Sequence, residues 1–413
     1  MEGEPSDREE EGGVGNRNFH SLVEAQQRRK RNSGGSATKE AASSRPLIGL
    51  SDCRRLRHPL PRTSFLRRCS PVTPLRSVRP RLVDDEHRRV DIATAYAVQD
   101  LNGRESGWCR SARRLDGCTA VVTGCNTGIG KETALDFYKR GARVIMACRD
   151  TESAGKAKQQ IEQTCLCEKN NGTLVVRQLD LSNFASIEAF AKRVLSENGN
   201  DIRILVNNAG VMMHPEGRSA DGFEVHMATN HLGHALLTLL LLPRIRASAP
   251  ARIIFVSSYL HQYYPLDIDD LNFEKTNYDP YGAYCRSKAA NVMFARALAD
   301  KLKEHRIEGV TTYSLHPGVI RTEISRHFSS TYWPGATWIF NNVLGIFLKS
   351  PRCGAQTTIY CAVDEACANE SGLYYSDCAV KDSSKETQIK ENVNRLWEVT
   401  MKALKSENYD PFT

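Results

Sequence analysis

A tyrosine and a lysine four residues apart, Tyr284 and Lys288, are the side chains best suited to chemistry in this 413-residue chain. On a helix, that separation places both side chains on one face. A phenol ordinarily loses its proton near a pH of about 10, and a neighbouring ammonium group stabilises the phenolate and lowers its pKa. Tyr284 is therefore a candidate general acid/base. Ser257-Ser258 ends the preceding predicted strand, where one hydroxyl could hold a substrate oxygen beside the phenol.

A glycine-rich turn lies earlier in the chain, between a predicted strand and a predicted helix. Thr123–Gly130 has a G-x-x-x-G-x-G spacing, which differs from the general dinucleotide fingerprint. Glycines let the backbone approach a pyrophosphate, and the helix N-terminus offers it free N–H groups and a positive dipole. A plain tight turn is the alternative. We expect a dinucleotide to contact Gly124, Asn126, Thr127, Gly128, Ile129 and Gly130.

The residues after the second and third predicted strands bear on the choice of dinucleotide. An acid at the position of Arg149 would bind the ribose 2′-hydroxyl of NAD, whereas an arginine can pair with the 2′-phosphate of NADP. We favour NADP, although the neighbouring Asp150 is a counter-signal. Asp180 and Leu181 could contact the adenine, or Asp180 could cap the next helix.

The fourth predicted strand ends in the small and amide residues Asn207-Asn208-Ala209-Gly210. Such residues let the chain turn closely beneath a flat cofactor ring, although turn chemistry alone could explain them. We expect cofactor contacts from Asn207, Ala209 and Gly210.

Short β-rich runs alternate with longer amphipathic segments from Leu115 onward, which is typical of βαβ units around a parallel sheet. Strands are predicted over Thr119–Thr123, Arg143–Ala147, Leu174–Gln178, Ile204–Asn207, Arg252–Ser257, Thr311–Leu315 and Gly372–Tyr375. Helices are predicted over Gly130–Arg140, Thr151–Cys165, Ser182–Ser196, Gly222–Leu242, Tyr281–Lys303, Pro351–Val363 and Ser384–Leu404. The pattern predicts one α/β domain over residues 115–413, with about seven strands in a doubly wound sheet.

These motifs, in this order, resemble the short-chain dehydrogenase/reductase family, and the match spans residues 115–405. Within the family the sequence is similar to the retinol dehydrogenase group, for example in Ala-Cys-Arg-Asp at 147–150 and His-Pro-Gly-Val at 316–319. The resemblance rests on the glycine turn, Asn207–Gly210, Asn230 in Asn-His-Leu-Gly-His, the serine pair, Tyr-x-x-x-Lys and Pro317-Gly318.

The resemblance implies a Rossmann-type fold and a role for each matched residue. Tyr284 would give or take the hydroxyl proton, and Lys288 would lower its pKa and bind the nicotinamide ribose. Ser258, the second serine of the pair, would orient the substrate oxygen, and Asn230 would hold a proton-relay water. Hydride would pass between the substrate carbon and C4 of the nicotinamide. The cofactor would also contact Pro317, Gly318 and Val319.

Two connecting segments are the expected substrate walls. One is the long loop between Ser258 and Tyr284. The other runs from Arg321 to Lys349 and is unusually apolar, as a core or dimer-facing helix would be. It would equally suit a lid over a long apolar substrate that also touches a membrane surface.

Residues 1–114 are predicted to form a disordered, Arg-rich tail. They hold 23 Lys and Arg against 15 Asp and Glu, which accounts for the whole net charge of +8. Retinol dehydrogenases commonly begin with a hydrophobic anchor, and this tail occupies its place. Three interpretations stay open: attraction to anionic lipid or nucleic acid, an internal targeting segment, or a misassembled N-terminus.

Several classes of protein are excluded by composition. No apolar run approaches the roughly 18 residues of a spanning helix, and no secretory signal is recognisable. The 13 cysteines include no Cys-x-x-Cys pair, which argues against a disulfide framework or a zinc site and favours a reducing compartment. We expect a cytoplasmic protein, or one peripherally bound to an intracellular membrane, without a metal.

The sequence thus predicts an NADP(H)-dependent oxidoreductase that interconverts retinol and retinal or related lipid alcohols and aldehydes. The same chemistry on a steroid or xenobiotic carbonyl is the alternative. A hypothesis from another class is a nucleic-acid-binding or scaffold protein with a silent reductase domain, although the basic clusters lack interleaved aromatic residues. The expected partners are a small apolar substrate, a membrane surface and a second copy in a homodimer.

Overall fold

The computed structural model describes residues 107–197, 199, 201–318, 320, 349–405 and 410–412. In this part of the chain eight strands form one sheet in the order β3-β2-β1-β4-β5-β6-β7-β8. All neighbouring strands are parallel except β7 and β8. The strands are β1 (Thr119–Thr123), β2 (Arg143–Cys148), β3 (Thr173–Gln178), β4 (Ile202–Asn207), β5 (Ala251–Val256), β6 (Val310–His316), β7 (Leu373–Ser376) and β8 (Ala379–Val380).

The predicted doubly wound sheet is confirmed, and the structure adds β8 at its edge. β8 has only two residues and is exposed, so no alternation of apolar and polar residues marks it in the sequence. The strand order reverses between β1 and β4. In a parallel sheet this reversal opens a crevice at the carboxyl ends of the strands, where ligands bind.

Helices cover both faces of the sheet in the described residues. They are α1 (Gly128–Lys139), α2 (Thr151–Thr164), α3 (Phe184–Ser196), α4 (Gly233–Ala247), α5 (Pro280–Glu304), α6 (Pro351–Val363) and α7 (Lys390–Ala403). Alternate strand residues enter two separate cores, with Val121 and Ile145 on the side of α3, α4, α5 and α7. Ala120, Val122 and Val144 face the side of α1, α2 and α6. Burial on both faces explains why these strands are almost wholly apolar.

The predicted helix Gly222–Leu242 is wrong in its first part. Glu224 accepts the backbone N–H groups of His226 and Met227 at 2.9 and 2.8 Å, so the helical segment begins after it. A π-turn over Met227–Leu232 precedes α4, and the N–H of Gly233 donates to the carbonyl of Ala228, five residues back. Nearly every residue of this segment and of α4 is buried, so the sequence has no alternation of apolar and polar residues in which the extra residue could be seen.

The N-terminal boundary also differs from the prediction. The backbone N–H of Cys109 donates to Gln356 at 3.3 Å, and the Arg140 guanidinium donates to the carbonyls of Ser111 and Arg113 at 2.8 Å. Residues 107–114, which we assigned to the tail, therefore pack on the domain. Residues 1–106 lie outside the described part of the chain. None of the described helices is long and apolar enough to cross a membrane.

Candidate active site

The start of α5 positions Tyr284 and Lys288. Asp279 caps the helix by accepting the N–H groups of Tyr281 and Gly282 at 3.1 and 3.0 Å, and Pro280 occupies its first position. Tyr284 and Lys288 lie one turn apart on the buried face of the helix, 4% and 2% exposed. The ammonium group is 5.8 Å from the centre of the phenol ring.

Lys288 is held behind the tyrosine by the end of β5. Its Nζ donates to the carbonyl of Val256 at 2.9 Å. A Cβ on Gly210 would lie 3.4 Å from this Nζ and 3.2 Å from Oδ1 of Asn230, so the glycine allows the turn after β4 to approach both side chains closely. The helix, β5 and this turn therefore meet at the lysine.

The two serines after β5 have different surroundings. Ser257 is buried, and its hydroxyl donates to the carbonyl of Lys288 at 2.7 Å. Ser258 is half-buried, caps the short helix Tyr259–Gln262, and forms a hydrogen bond with the hydroxyl of Tyr284. The second serine is thus the one whose hydroxyl lies beside the phenol.

Asn230 lies inside the π-turn, with its side chain fully engaged. Its Nδ2 donates to Oγ of Ser287 at 2.9 Å and to the carbonyl of Val211 at 3.0 Å, while its Oδ1 accepts the N–H of Val211 at 2.8 Å. The side chain therefore joins the segment after β4 to α5. Its main-chain carbonyl oxygen lies 2.9 Å from Nδ1 of His234.

Burial determines the protonation states of Tyr284 and Lys288. We expected a lowered pKa for Tyr284, but the structure overturns that direction: burial raises the pKa, and the hydrogen bond with Ser258 offsets only part of the increase. Burial also lowers the pKa of Lys288 to about 8. At neutral pH the phenol therefore keeps its proton.

The glycine-rich turn between β1 and α1 has the expected geometry. Gly124 has a φ of +62°, and a Cβ there would lie 2.8 Å from the Cβ of Ala209, so the turns after β1 and β4 touch. A Cβ on Gly130 would lie 2.5 Å from the carbonyl oxygen of Gly124. The N-cap residue Thr127 makes no side-chain cap, which leaves the first N–H groups of α1 available to a phosphate. Asn126, Thr127, Gly128 and Ile129 are half-buried along this turn.

The two residues after β2, Arg149 and Asp150, differ in their contacts. Arg149 is exposed. The carboxylate of Asp150 accepts the N–H of Ser153 at 3.0 Å and also its hydroxyl, which lowers the pKa of Asp150 and makes it the N-cap of α2. Since an N-cap explains this acid, it is no longer a strong counter-signal to NADP.

Asp180 and Leu181 follow β3 at the same edge of the sheet. Oδ1 of Asp180 accepts the N–H and hydroxyl of Ser182 at 2.9 and 2.7 Å, whereas the N-cap of α3 is Asn183. The capping alternative for Asp180 is therefore wrong. Leu181 is buried, and its carbonyl oxygen would lie 2.3 Å from a Cβ on Gly233.

The four residues Asn207–Gly210, at the end of β4, form hydrogen bonds with the end of β1. Asn207 is buried and donates to Thr238 at 3.0 Å. Asn208, which we had not singled out, donates through Nδ2 to the carbonyls of Thr123 and Gly124 at 2.8 and 3.2 Å. These bonds brace the two turns against each other across the crevice.

The edge beyond β6 is described only in part. Gly318 has a φ of +92° and follows Pro317, and His316 accepts the N–H of Tyr259 at 3.0 Å. Val319 and residues 321–348, where we expected a cofactor contact and the apolar substrate wall, lie outside the described residues.

An apolar cluster surrounds the phenol on the side of the loop 259–280. It consists of Met212, Met213, Leu260 and Cys285, with Tyr264 and Tyr281 against it. The loop is anchored by Arg286, whose guanidinium lies 4.2 Å from the ring centre of Phe273 and donates to the carbonyl of Asp270 at 2.8 Å. The two methionines were not predicted, because only the folded turn after β4 brings them to Tyr284.

The comparisons agree with this geometry. Residues 118–333 match the family model described as short chain dehydrogenase, and the chain belongs to that family. It is also 28% identical to a putative uncharacterized protein from Mycobacterium paratuberculosis of known structure, with a TM-score of 0.56 over 73% of this chain and 99% of that one.

Comparison with similar proteins narrows the assignment within the short-chain dehydrogenase family. The chain is 45% identical to retinol dehydrogenase 11 of Homo sapiens over 295 residues, which cover 71% of this chain and 88% of that protein. It is 45% identical to retinol dehydrogenase 12 of Homo sapiens over 298 residues, or 72% and 90% of the two chains. The chain is thus a retinol dehydrogenase-like oxidoreductase that uses a nicotinamide cofactor.

Proposed function

We propose that the chain is an NADP(H)-dependent oxidoreductase that interconverts retinol and retinal or related lipid alcohols and aldehydes. The observation that carries the proposal is the contact between the hydroxyls of Ser258 and Tyr284, with Lys288 behind them. It lies at the strand edge that also holds the glycine-rich turn. A nicotinamide dinucleotide, when bound, supplies or accepts the hydride.

The chain's own residues handle the proton. The raised pKa keeps Tyr284 protonated at neutral pH, which suits a general acid that protonates the substrate oxygen during reduction. Ser258 orients that oxygen through its hydroxyl. Lys288 binds the nicotinamide ribose and places a positive charge near the phenolate that forms. Asn230 offers its main-chain carbonyl to a relay water.

Contacts with NADP follow from the elements at the crevice. The α1 N-terminus and residues Gly124–Gly130 hold the pyrophosphate, and Arg149 pairs with the 2′-phosphate. Asp180 and Leu181 would contact the adenine, and Asn207–Gly210 would lie beneath the nicotinamide. Pro317 and Gly318 would complete the contacts.

An apolar substrate is supported by the methionine cluster beside Tyr284 and by the names of the relatives. Apolar walls with a few convergent polar groups are typical of small-molecule sites. A steroid or xenobiotic carbonyl could occupy the same walls. A scaffold with a silent reductase domain is disfavoured, because a scaffold would gain nothing from burying the ionisable side chains of Tyr284 and Lys288 together.

The test is a matrix of two cofactors and three substrates with the full chain. NADPH and NADH oxidation are followed with all-trans-retinal, a 3-ketosteroid and a simple aromatic aldehyde. We expect the highest kcat/KM for NADPH with retinal. Higher activity with the ketosteroid or aromatic aldehyde would establish the alternative substrate class, and a lack of cofactor binding would refute the enzyme assignment.

A further inference from the structure

A buried imidazole that belongs to none of the expected contacts lies against the end of β1. His234, in the first turn of α4, is fully buried. Its Nε2 is 2.9 Å from the hydroxyl of Thr123, the last residue of β1. Its Nδ1 is 2.9 Å from the main-chain carbonyl of Asn230 in the π-turn. The ring therefore bridges the glycine-rich turn and the residue expected to hold the relay water.

The neighbours of the ring determine where its proton lies. The carbonyl of Asn230 can only accept, so Nδ1 carries the hydrogen. Oγ1 of Thr123 already accepts the N–H groups of Asn208 and Ala209, both at 2.9 Å. Its own hydrogen is thus directed to Nε2, since the other acceptor, the carbonyl of Val206, is farther away at 3.4 Å. Burial lowers the pKa of His234 to about 3, which agrees with a neutral ring.

The two sides of the ring serve different parts of the site. On the Nε2 side, the Thr123 hydroxyl holds the backbone of Asn208 and Ala209, the turn that would lie beneath a bound nicotinamide. On the Nδ1 side, the bond holds the Asn230 carbonyl, whose residue is joined through Ser287 to the carbonyl of Tyr284 at 2.7 Å. A continuous set of hydrogen bonds therefore runs from the cofactor turn to the catalytic helix.

We propose that His234 is a positioning residue with two separable roles: through Nε2 it supports the cofactor turn after β4, and through Nδ1 it orients the Asn230 carbonyl. The proposal rests on the proposed function, because it assigns these roles to a cofactor and a relay water. Neither role requires the ring to exchange a proton.

Two substitutions divide the roles. In His234→Asn, the amide nitrogen takes the place of Nδ1 and keeps the donor to Asn230, while the acceptor for Thr123 is lost. In His234→Gln, the amide oxygen reaches the place of Nε2 and keeps that acceptor, while the donor to Asn230 is lost. His231→Gln is the matched control, because His231 lies in the same π-turn, is buried, and bonds Thr400 on α7 at 2.9 Å instead of Thr123 or the Asn230 carbonyl.

The measurements are the NADPH dissociation constant, kcat with retinal, and the thermal midpoint of the full chain. We expect His234→Asn to weaken NADPH binding about fivefold with kcat retained. We expect His234→Gln to lower kcat about tenfold with NADPH binding retained. His231→Gln should lower only the thermal midpoint. Parallel losses in the two His234 variants, or losses of thermal midpoint alone, would show that the ring is merely structural and overturn the proposal.

A spectroscopic measurement separates this proposal from the proposed function. In the full chain labelled with ¹⁵N-histidine, the signal lost in His234→Asn should show a neutral ring protonated on Nδ1. A ring protonated on Nε2, or on both nitrogens, would overturn the proposal even in an active enzyme. If the wild-type chain reduces no carbonyl, the proposed substrate fails, while weaker NADPH binding in His234→Asn and unchanged binding in His234→Gln still decide the role of Nε2.

Discussion

The buried charge of Lys288 lowers the stability of the fold, so replacing this lysine with methionine should stabilise the chain while removing activity. Its pKa falls from 10.5 to about 8 on burial, which corresponds to about 3 kcal/mol of unfavourable free energy for the charged form. Methionine loses the bond to the Val256 carbonyl, worth about 1 kcal/mol, although Asn291 remains 3.4 Å from that oxygen. The expected net gain at pH 7 is about 2 kcal/mol.

The gain should disappear at high pH. The unfolded lysine holds its proton up to a pH of 10.5, whereas the folded one releases it near a pH of about 8. Between these values the unfolded state binds more protons, so the stability of the wild-type chain rises with pH. Lys288→Met has no such group and does not follow that rise.

The assay is urea unfolding of both full chains, followed by tryptophan fluorescence at pH 7 and pH 10. Lys303→Met, an exposed position on the same helix, is the control and should change the free energy of unfolding by less than about 0.5 kcal/mol at either pH. A Lys288→Met chain that is less stable than wild type at pH 7, or equally stabilised at both pH values, would refute the reasoning.

Three further pairs of variants test the site. Ser258→Ala should lower kcat about a hundredfold, whereas Ser257→Ala should lower the free energy of unfolding by about 1 kcal/mol; equal kinetic losses would contradict the assignment of the serines. Arg149→Ala should raise the KM for NADPH about tenfold and leave that for NADH unchanged, while Asp150→Ala should lower stability by about 1 kcal/mol through the lost cap of α2; a changed cofactor preference in Asp150→Ala would argue against its role as a cap. Gly130→Ala should lose NADPH binding in a fluorescence titration and destabilise the fold by about 1–3 kcal/mol, whereas Gly155→Ala, where the new Cβ meets nothing within 4 Å, should stabilise α2 by about 0.5–1 kcal/mol.

Elements with strong local signals were predictable from the sequence. The bounds of β1 and α6 agree with the structure residue for residue, because apolar strands and an N-terminal proline mark their own limits. The carboxyl-end rule for parallel sheets also brought the glycine-rich turn, Asn207–Gly210 and Ser258 to one edge. For these motifs, the types of the residues and their order along the chain were enough to predict their position.

Features that depend on three-dimensional packing were not predictable. The pKa of Tyr284 rises because the ring is buried, and spacing to Lys288 cannot report burial. The π-turn at Asn230 lies in a segment that is buried almost all round, so no apolar periodicity marks it. His234 reads as one more residue of an apolar helix until the turn after β1 is placed against it.

The central claim is that Tyr284 transfers the proton, and kcat of Tyr284→Phe with NADPH and retinal tests it most directly. The loss of one hydroxyl should lower kcat about a thousandfold. The dissociation constant for NADPH, measured on the same sample, should stay within about threefold of wild type, since the glycine-rich turn is untouched. A variant that binds NADPH and keeps more than about a tenth of wild-type kcat would contradict the account.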